Sequence, residues 1–293
     1  MKKELFFIAC LCIFLISAST ASANIQEMAD ELMEAYKNGK AIPLMHQIDA
    51  NLDMDMAYAI QRNYVRQRLE TGDFIQGFKV GFTNTEVQKK YGVNAPAAGV
   101  LYGRGTYYGS PVVELSDPPG LIIETEIGYL IGETITNPLK DIAELKGKVS
   151  GLMPVIELPN MGFADMELLK GVDVIAANAA SDGQIISSIV GKEREVGNID
   201  LNDLVVTLYK NGKLVHQGLG SDALGDQWQT ALWLVNEMVK QGYEIKPGYI
   251  LITGALGQVA PALPGYYEAF WGPLGKISFK IKEPSFPSDR RKF

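Results

Sequence analysis

Residues 122–132 read IIETEIGYLIG, a run apolar and β-branched enough for a buried strand, yet Glu124 and Glu126 sit in its middle. Strand side chains alternate faces, so residues two apart share a side. The two carboxylates then project into one small volume, ~7 Å apart, beside Ile122 and Leu130. Repulsion and desolvation both oppose ionising such a pair. Three arrangements relieve it: one carboxyl takes a proton, the pair faces water on an exposed sheet, or a cation sits between them. The opposite side (Ile123, Ile127, Tyr129, Ile131) is apolar, and Leu130 continues the carboxylate-bearing side. The strand therefore reads as covered on both faces, which disfavours the wet sheet.

The texture around this run sets the fold class. Residues 24–39 space Ile25, Met28, Leu32 and Tyr36 as a helix would, and 53–71 form a second amphipathic stretch opened by Asp53 and closed by Thr71-Gly72. From Phe74 onward the chain breaks into short β-rich runs, among them GFKVGF, GVLYG, VVTLYK, KLVHQG, YILITG and KISFKI. Asn211-Gly212 is a strong hairpin signal. One strong helix interrupts these runs, from Asp226 to Gln241, with Asp226 as its cap and Gly242 as its stop. Grouped strands that do not alternate regularly with helices predict an α+β fold. The boundaries read as 1–23 leader, 24–72 helical segment, 73–283 β-rich core and 284–293 tail.

The first 23 residues have the order of a secretory signal peptide. Lys2 and Lys3 precede an apolar run from Leu5 to Ile16, and small residues end in Ala21-Ser22-Ala23. Cleavage after Ala23 is expected, giving a periplasmic or secreted protein with no membrane attachment once cleaved. Both cysteines, Cys10 and Cys12, lie in that leader, so disulfides and thiolate chemistry drop out of the remainder. The formal charge of −7, with no basic patch, disfavours nucleic acid as a partner.

Conventional catalytic signatures are missing. There is no P-loop and no G-x-S-x-G elbow. Gly103-Arg104-Gly105 reads as a turn, and Gly254-Ala255-Leu256-Gly257 lacks the following helix that a dinucleotide fingerprint needs. His46 and His216, the two histidines, read as surface or hydrogen-bonded structural residues. A third carboxylate, Glu157, stands in another apolar run, LMPVIELP. Three isolated carboxylates in apolar strands suit a hard divalent cation, Mg²⁺ or Mn²⁺, with oxygen ligands. Lys79 in GFKVGF is either a surface lysine on an apolar stem or a functional group brought close to a ligand by its flanking glycines.

The ordered set IETEIG, VIELP, DVIAANAAS and GYILITGALG, together with GFKVGFTNTEVQKKYGVNAPAAGVLYG, resembles the fumarylacetoacetate hydrolase superfamily. Within it the chain is most similar to the 2-keto-4-pentenoate hydratase and 4-oxalocrotonate decarboxylase branch, over residues 30–280. The resemblance implies a core of curled mixed β-sheet flanked by helices, and a divalent cation held by Glu124, Glu126 and Glu157. It implies Lys79 beside the substrate, Asn178 and Thr253 in the pocket, and a homo-oligomer. The implied substrate is a small 2-hydroxy-dienoic acid or its 2-oxo tautomer, and the implied reaction is hydration. Decarboxylation, C–C hydrolysis or binding without catalysis are the alternatives.

Three departures fall near the chemistry. Ala97 and Ala177 stand where the family pattern has acids, and Leu158-Pro159-Asn160-Met161 replaces its basic-polar stretch. A positioned proton-transfer group is worth roughly 10²–10⁴-fold in rate, so the sequence leaves open what moves protons here.

Overall fold

The structure, a computed structural model, describes residues 24–115, 120–187 and 199–284. The leader and most of the tail lie outside the described residues. A first helix, α1 (24–38), precedes α2 (Met45–Ile48) and α3 (Met54–Glu70). Asp53 caps α3 by accepting from Met56 N, as its position before the apolar periodicity implies. Buried Gln61 on α3 donates to Ala98 O at 3.0 Å and Ile175 O at 2.8 Å, fixing the helical segment to a strand and to the helix Gly171–Ala176.

Two sheets form the rest. The larger runs β2 (Ala97–Tyr102), β1 (Ile75–Gly81), β10 (Ile250–Ile252), β5 (Ile122–Ile131), β6 (Val149–Leu158), β7 (Gly183–Ile186) and β3 (Thr106–Tyr108), with β11 (Ala260–Pro261) paired to one end of β5. It is mixed: β1 and β10 are parallel, while β5 is antiparallel to β10 and β6. The sheet curls until its ends meet, and the Gln184 amide of β7 donates to Tyr102 O of β2 at 3.0 Å. The smaller sheet runs β4 (Val112–Glu114), β13 (Lys276–Lys282), β12 (Gly265–Phe270), β8 (Val205–Lys210) and β9 (Lys213–Leu219). Asn211 and Gly212 turn β8 into β9 with positive φ at both residues (49° and 77°), the geometry of a tight two-residue hairpin.

Residue alternation explains why β5 is tolerable. Its apolar face (Ile123, Ile127, Tyr129, Ile131) joins the main core, where Tyr129 meets Trp228 edge-on at 4.9 Å. Trp228 belongs to α4 (Gln227–Lys240), capped by Asp226. The other face of β5 lines the inside of the curl. In register across the strands there, Lys79 is opposite Ile252, Ile252 opposite Gly128, and Gly128 opposite Met153. Leu101, Met153, Val155, Ile186, Ile250 and Ile252 form a small apolar plug along that row. Glu126 stands beside it, opposite Val155, and Glu124 and Glu157 pair one step further along the strands. Both faces of β5 are covered, and the polar groups lie inside the sheet. Among the described residues no helix is long and apolar enough to cross a membrane.

Candidate active site

The β5–β6 register sets Glu124 directly across from Glu157, and Glu126 across from Val155. One carboxylate oxygen from each of Glu124, Glu126 and Glu157 lies within 4.8 Å of the other two. Glu126 and Glu157 are fully buried, and Glu124 opens partly to a cleft. Lys79, itself buried, is ion-paired with Glu157 and donates to Ala179 O at 3.0 Å. Three carboxylates against one ammonium leave two negative charges uncompensated.

That imbalance shows in the titration of the group. Burial, reinforced by Glu157 and opposed by Lys79, pushes the Glu124 carboxyl up to about 8. Burial, with Glu157 and Glu124 adding to it, holds Glu126 well above the usual carboxylate range. Burial alone would lower Lys79, but Glu157, Glu124 and Glu126 outweigh it and the ammonium is raised above its ordinary value. Glu126 Oε2 accepts from Gly254 N at 2.6 Å, while Glu126 Oε1 and Glu157 Oε2 receive no hydrogen bond from any described residue. Orphaned buried carboxylate oxygens in an all-oxygen cluster fit a hard divalent cation.

The peptide that follows β10 builds much of the site. Gly254 has φ +98°, and a Cβ there would meet Thr83 at 2.3 Å, so glycine lets the amide reach Glu126. Two residues on, Leu256 N donates to Thr125 O (2.9 Å), and the Thr125 hydroxyl donates back to Leu256 O (3.0 Å). Residues 253–257 are thereby laced to the strand segment that carries two of the carboxylates. Their glycine-rich spelling serves this close approach.

A second unusual peptide is 178–180. Asn178, Ala179 and Ala180 all have positive φ (58°, 50° and 58°), a left-handed run that costs non-glycine residues roughly 1–2 kcal/mol each. The Asn178 side chain holds it, donating to Val100 O at 2.8 Å and accepting from Val100 N at 2.7 Å. The run aims Ala179 O at Lys79. Asn178 is therefore committed to backbone and does not line the cleft. Thr253 is likewise fully buried, donating to Gln227 Oε1 at 2.6 Å.

The cleft above the carboxylates has a volume of about 1060 Å³. Its titratable lining is Lys79, Lys90, Tyr91, Glu124, His216 and Asp222, set among apolar walls that include Phe82 and Met161. Ala97 also lines it. Ala177 instead lines a separate cavity of about 320 Å³ beside Arg68 and Arg104. His46 is a structural histidine, its Nδ1 2.7 Å from Asp173 Oδ2. His216 corrects the sequence reading: it is 6% exposed, neither ring nitrogen has a hydrogen-bond partner among the described residues, and it lines the cleft. Two-residue alternation along β9 puts His216 and Gly218 on one side, but local sequence does not say what that side meets.

The curled mixed sheet, with three carboxylates and a lysine on its inner face, has the fold of solved enzymes. 4-Oxalocrotonate decarboxylase from Pseudomonas putida G7, solved with magnesium and adipate, matches with a TM-score of 0.80 at 23% identity, over 88% of this chain and 97% of that one. A fumarylacetoacetate hydrolase family protein from Yersinia pestis CO92 matches with a TM-score of 0.52 at 16% identity, over 70% of this chain and 92% of that one. No family model matches the chain. The 2-keto-4-pentenoate hydratase of Paraburkholderia phymatum is 30% identical over 261 residues, covering 89% of this chain and 98% of the relative. The chain belongs to the 2-keto-4-pentenoate hydratase family, and it shares its fold with the fumarylacetoacetate hydrolase family protein.

Proposed function

We propose that the protein is an exported, divalent-cation-dependent lyase that hydrates a small 2-oxo or 2-hydroxy-dienoic acid. The observation that carries this reading is the cluster of Glu124, Glu126 and Glu157, with Lys79 against it, at the inner end of a large cleft. The three carboxylates would hold Mg²⁺ or Mn²⁺. When bound, such an ion supplies Lewis-acid stabilisation of charge on a substrate oxygen.

The chain's own groups supply the rest. Lys79 stays protonated, since its partners raise it, and gives a fixed positive charge beside Glu157 for the substrate's carboxylate. The Gly254 amide fixes Glu126, and the Ala179 carbonyl fixes the ammonium. Apolar walls keep water from competing with these contacts. Lys2-Lys3, the apolar run and Ala21-Ser22-Ala23 support export with cleavage after Ala23. N-terminal sequencing of the exported protein tests that point.

Purified protein is expected to turn over 2-hydroxypenta-2,4-dienoate in the presence of Mg²⁺ or Mn²⁺, and to lose turnover on chelation. Release of carbon dioxide from a 2-oxo-enoic diacid, whose distal carboxylate leaves its electron pair in the 2-enolate, read by product analysis, would move the reaction to decarboxylation. A second reading, binding without catalysis, is favoured by one feature: Ala97, in the cleft wall, offers no acid. Tight 2-oxo-acid binding with no turnover would establish it.

A further inference from the structure

We propose that His216 is a proton-transfer residue of this site, facing the substrate from β9. The proposal rests on the hydratase reading above. Three observations carry it. First, His216 is buried to 6% exposure, neither ring nitrogen has a partner among the described residues, and it lines the same cleft as Lys79 and Glu124. A buried polar ring without a partner is costly in a finished core and is explained where a ligand completes it.

Second, the ring is fastened to the carboxylate strand by a short path. Leu256 exchanges two hydrogen bonds with Thr125, which lies between Glu124 and Glu126. The next residue, Gly257, packs on the imidazole: a Cβ there would stand 2.9 Å from His216 Nδ1. A Cβ on Gly218 would in turn meet Gly257 N at 2.3 Å. Absence of side chains at both positions lets β9 and the 253–257 peptide touch, and the imidazole takes the space between them and the cleft.

Third, the other described titratable groups lining the cleft are committed elsewhere, Tyr91 by packing its ring against Phe82 at 5.6 Å. Glu124 belongs to the carboxylate cluster, and Lys79 is paired and held protonated. Lys90 lies over the Tyr91 ring at 5.0 Å, and the Asp222 carboxylate accepts from Leu219 N at 2.8 Å. Ala97 has no acid to give. The element paired with β9 places Leu208 opposite His216, and the 253–257 peptide is uncharged, so no fixed charge on either contacts the ring. Burial lowers the imidazole's affinity for protons, which keeps it neutral and available as a base near pH 7.

The step balances as follows. 2-Hydroxypenta-2,4-dienoate first gives the 2-oxo-3-enoic acid, losing its hydroxyl proton and gaining one at C5; the neutral imidazole then takes a proton from water as the oxygen bonds to C4. The C3=C4 electron pair moves to C2–C3, and the C2 carbonyl becomes an enolate oxygen. The imidazolium returns its proton to C3, the carbonyl re-forms, and one water has been added with the imidazole regenerated.

The test compares wild type with His216→Ala and His216→Gln in the full exported chain loaded with Mg²⁺. Expected are a fall in kcat on 2-hydroxypenta-2,4-dienoate of ~10²-fold or more, little change in KM or Mg²⁺ affinity, loss of the acid limb of the pH–rate profile, and partial rescue of His216→Ala by imidazole. Full kcat with an unchanged profile in both variants would overturn the proposal. A second measurement does not depend on turnover. The chain has two histidines, so their ring ¹⁵N signals are separable by using His216→Gln. Mg²⁺ with 2-oxopentanoate should shift the His216 signals and leave those of His46. Unmoved His216 signals overturn the proposal. A shift with no turnover by wild type refutes hydration and the proton step, and keeps His216 only as a wall of a 2-oxo-acid site.

Discussion

Lys79 on β1 is ion-paired with Glu157 on β6, although β10 and β5 lie between their strands in the sheet. In a flat sheet three strand spacings would hold the two backbones ~14 Å apart, with both side chains standing upright and unable to meet. The contact exists because the sheet curls and closes through Gln184 and Tyr102. Curvature is thus what turns two separated residues into one site.

Breaking that pair should expose the charge balance. Lys79→Met removes the cation paired with Glu157, and loss of one partner of a buried pair costs about 3–5 kcal/mol. Denaturant unfolding of cation-free protein should show a loss of that order. Saturating Mg²⁺ should shrink it, because the ion replaces the missing charge.

Acidity should act on the empty and loaded forms in opposite directions. The Glu124 carboxyl titrates near 8 in the folded chain against an ordinary value of 4.5. Its contribution to stability is therefore complete below about pH 4.5 and is lost as pH rises through about 8. Cation-free protein should become less stable across that window, and Mg²⁺ or Mn²⁺ should bind more tightly, since ligation needs the deprotonated carboxylate. Thermal scans and calorimetric titration at pH 6 and pH 8 check both; a cation affinity independent of pH would contradict the assignment.

The Gly254 amide should be a determinant of cation affinity. Gly254→Ala forces a side chain onto Thr83 and disfavours φ +98°, so the N–H is displaced from Glu126. An affinity loss of about tenfold or more is expected, from losing a charge-assisted hydrogen bond of ~1.5–3 kcal/mol. Calorimetry reads it directly.

Asn178→Ala should weaken the left-handed run that aims Ala179 O at Lys79. It leaves the Val100 amide and carbonyl without their buried partner, at a cost of about 1–3 kcal/mol. Activity should fall through a misplaced Lys79, with little change in the number of cations bound.

The legible part of this molecule was local. The helix caps Asp53 and Asp226, the Asn211-Gly212 hairpin and the two covered faces of β5 follow from spacing and side-chain chemistry over a few residues. Glu124, Glu126 and Glu157 were legible as charges out of place in apolar runs, and the family motifs put them together. What escaped depended on strand order and curl. Asn178 and Thr253 are buried structural partners outside the cleft, and Ala177 borders a different cavity. His216 entered the cleft because β9 touches a peptide some forty residues later in the chain, a contact no local pattern announces.

Cation stoichiometry tests the central assignment most directly. Calorimetric titration of Mn²⁺ into metal-free wild type, Glu126→Gln and Glu157→Gln, each shown folded by circular dichroism, separates the outcomes. The account predicts one tight site per wild-type chain and its loss in both variants. Full stoichiometry and affinity in both variants would contradict it.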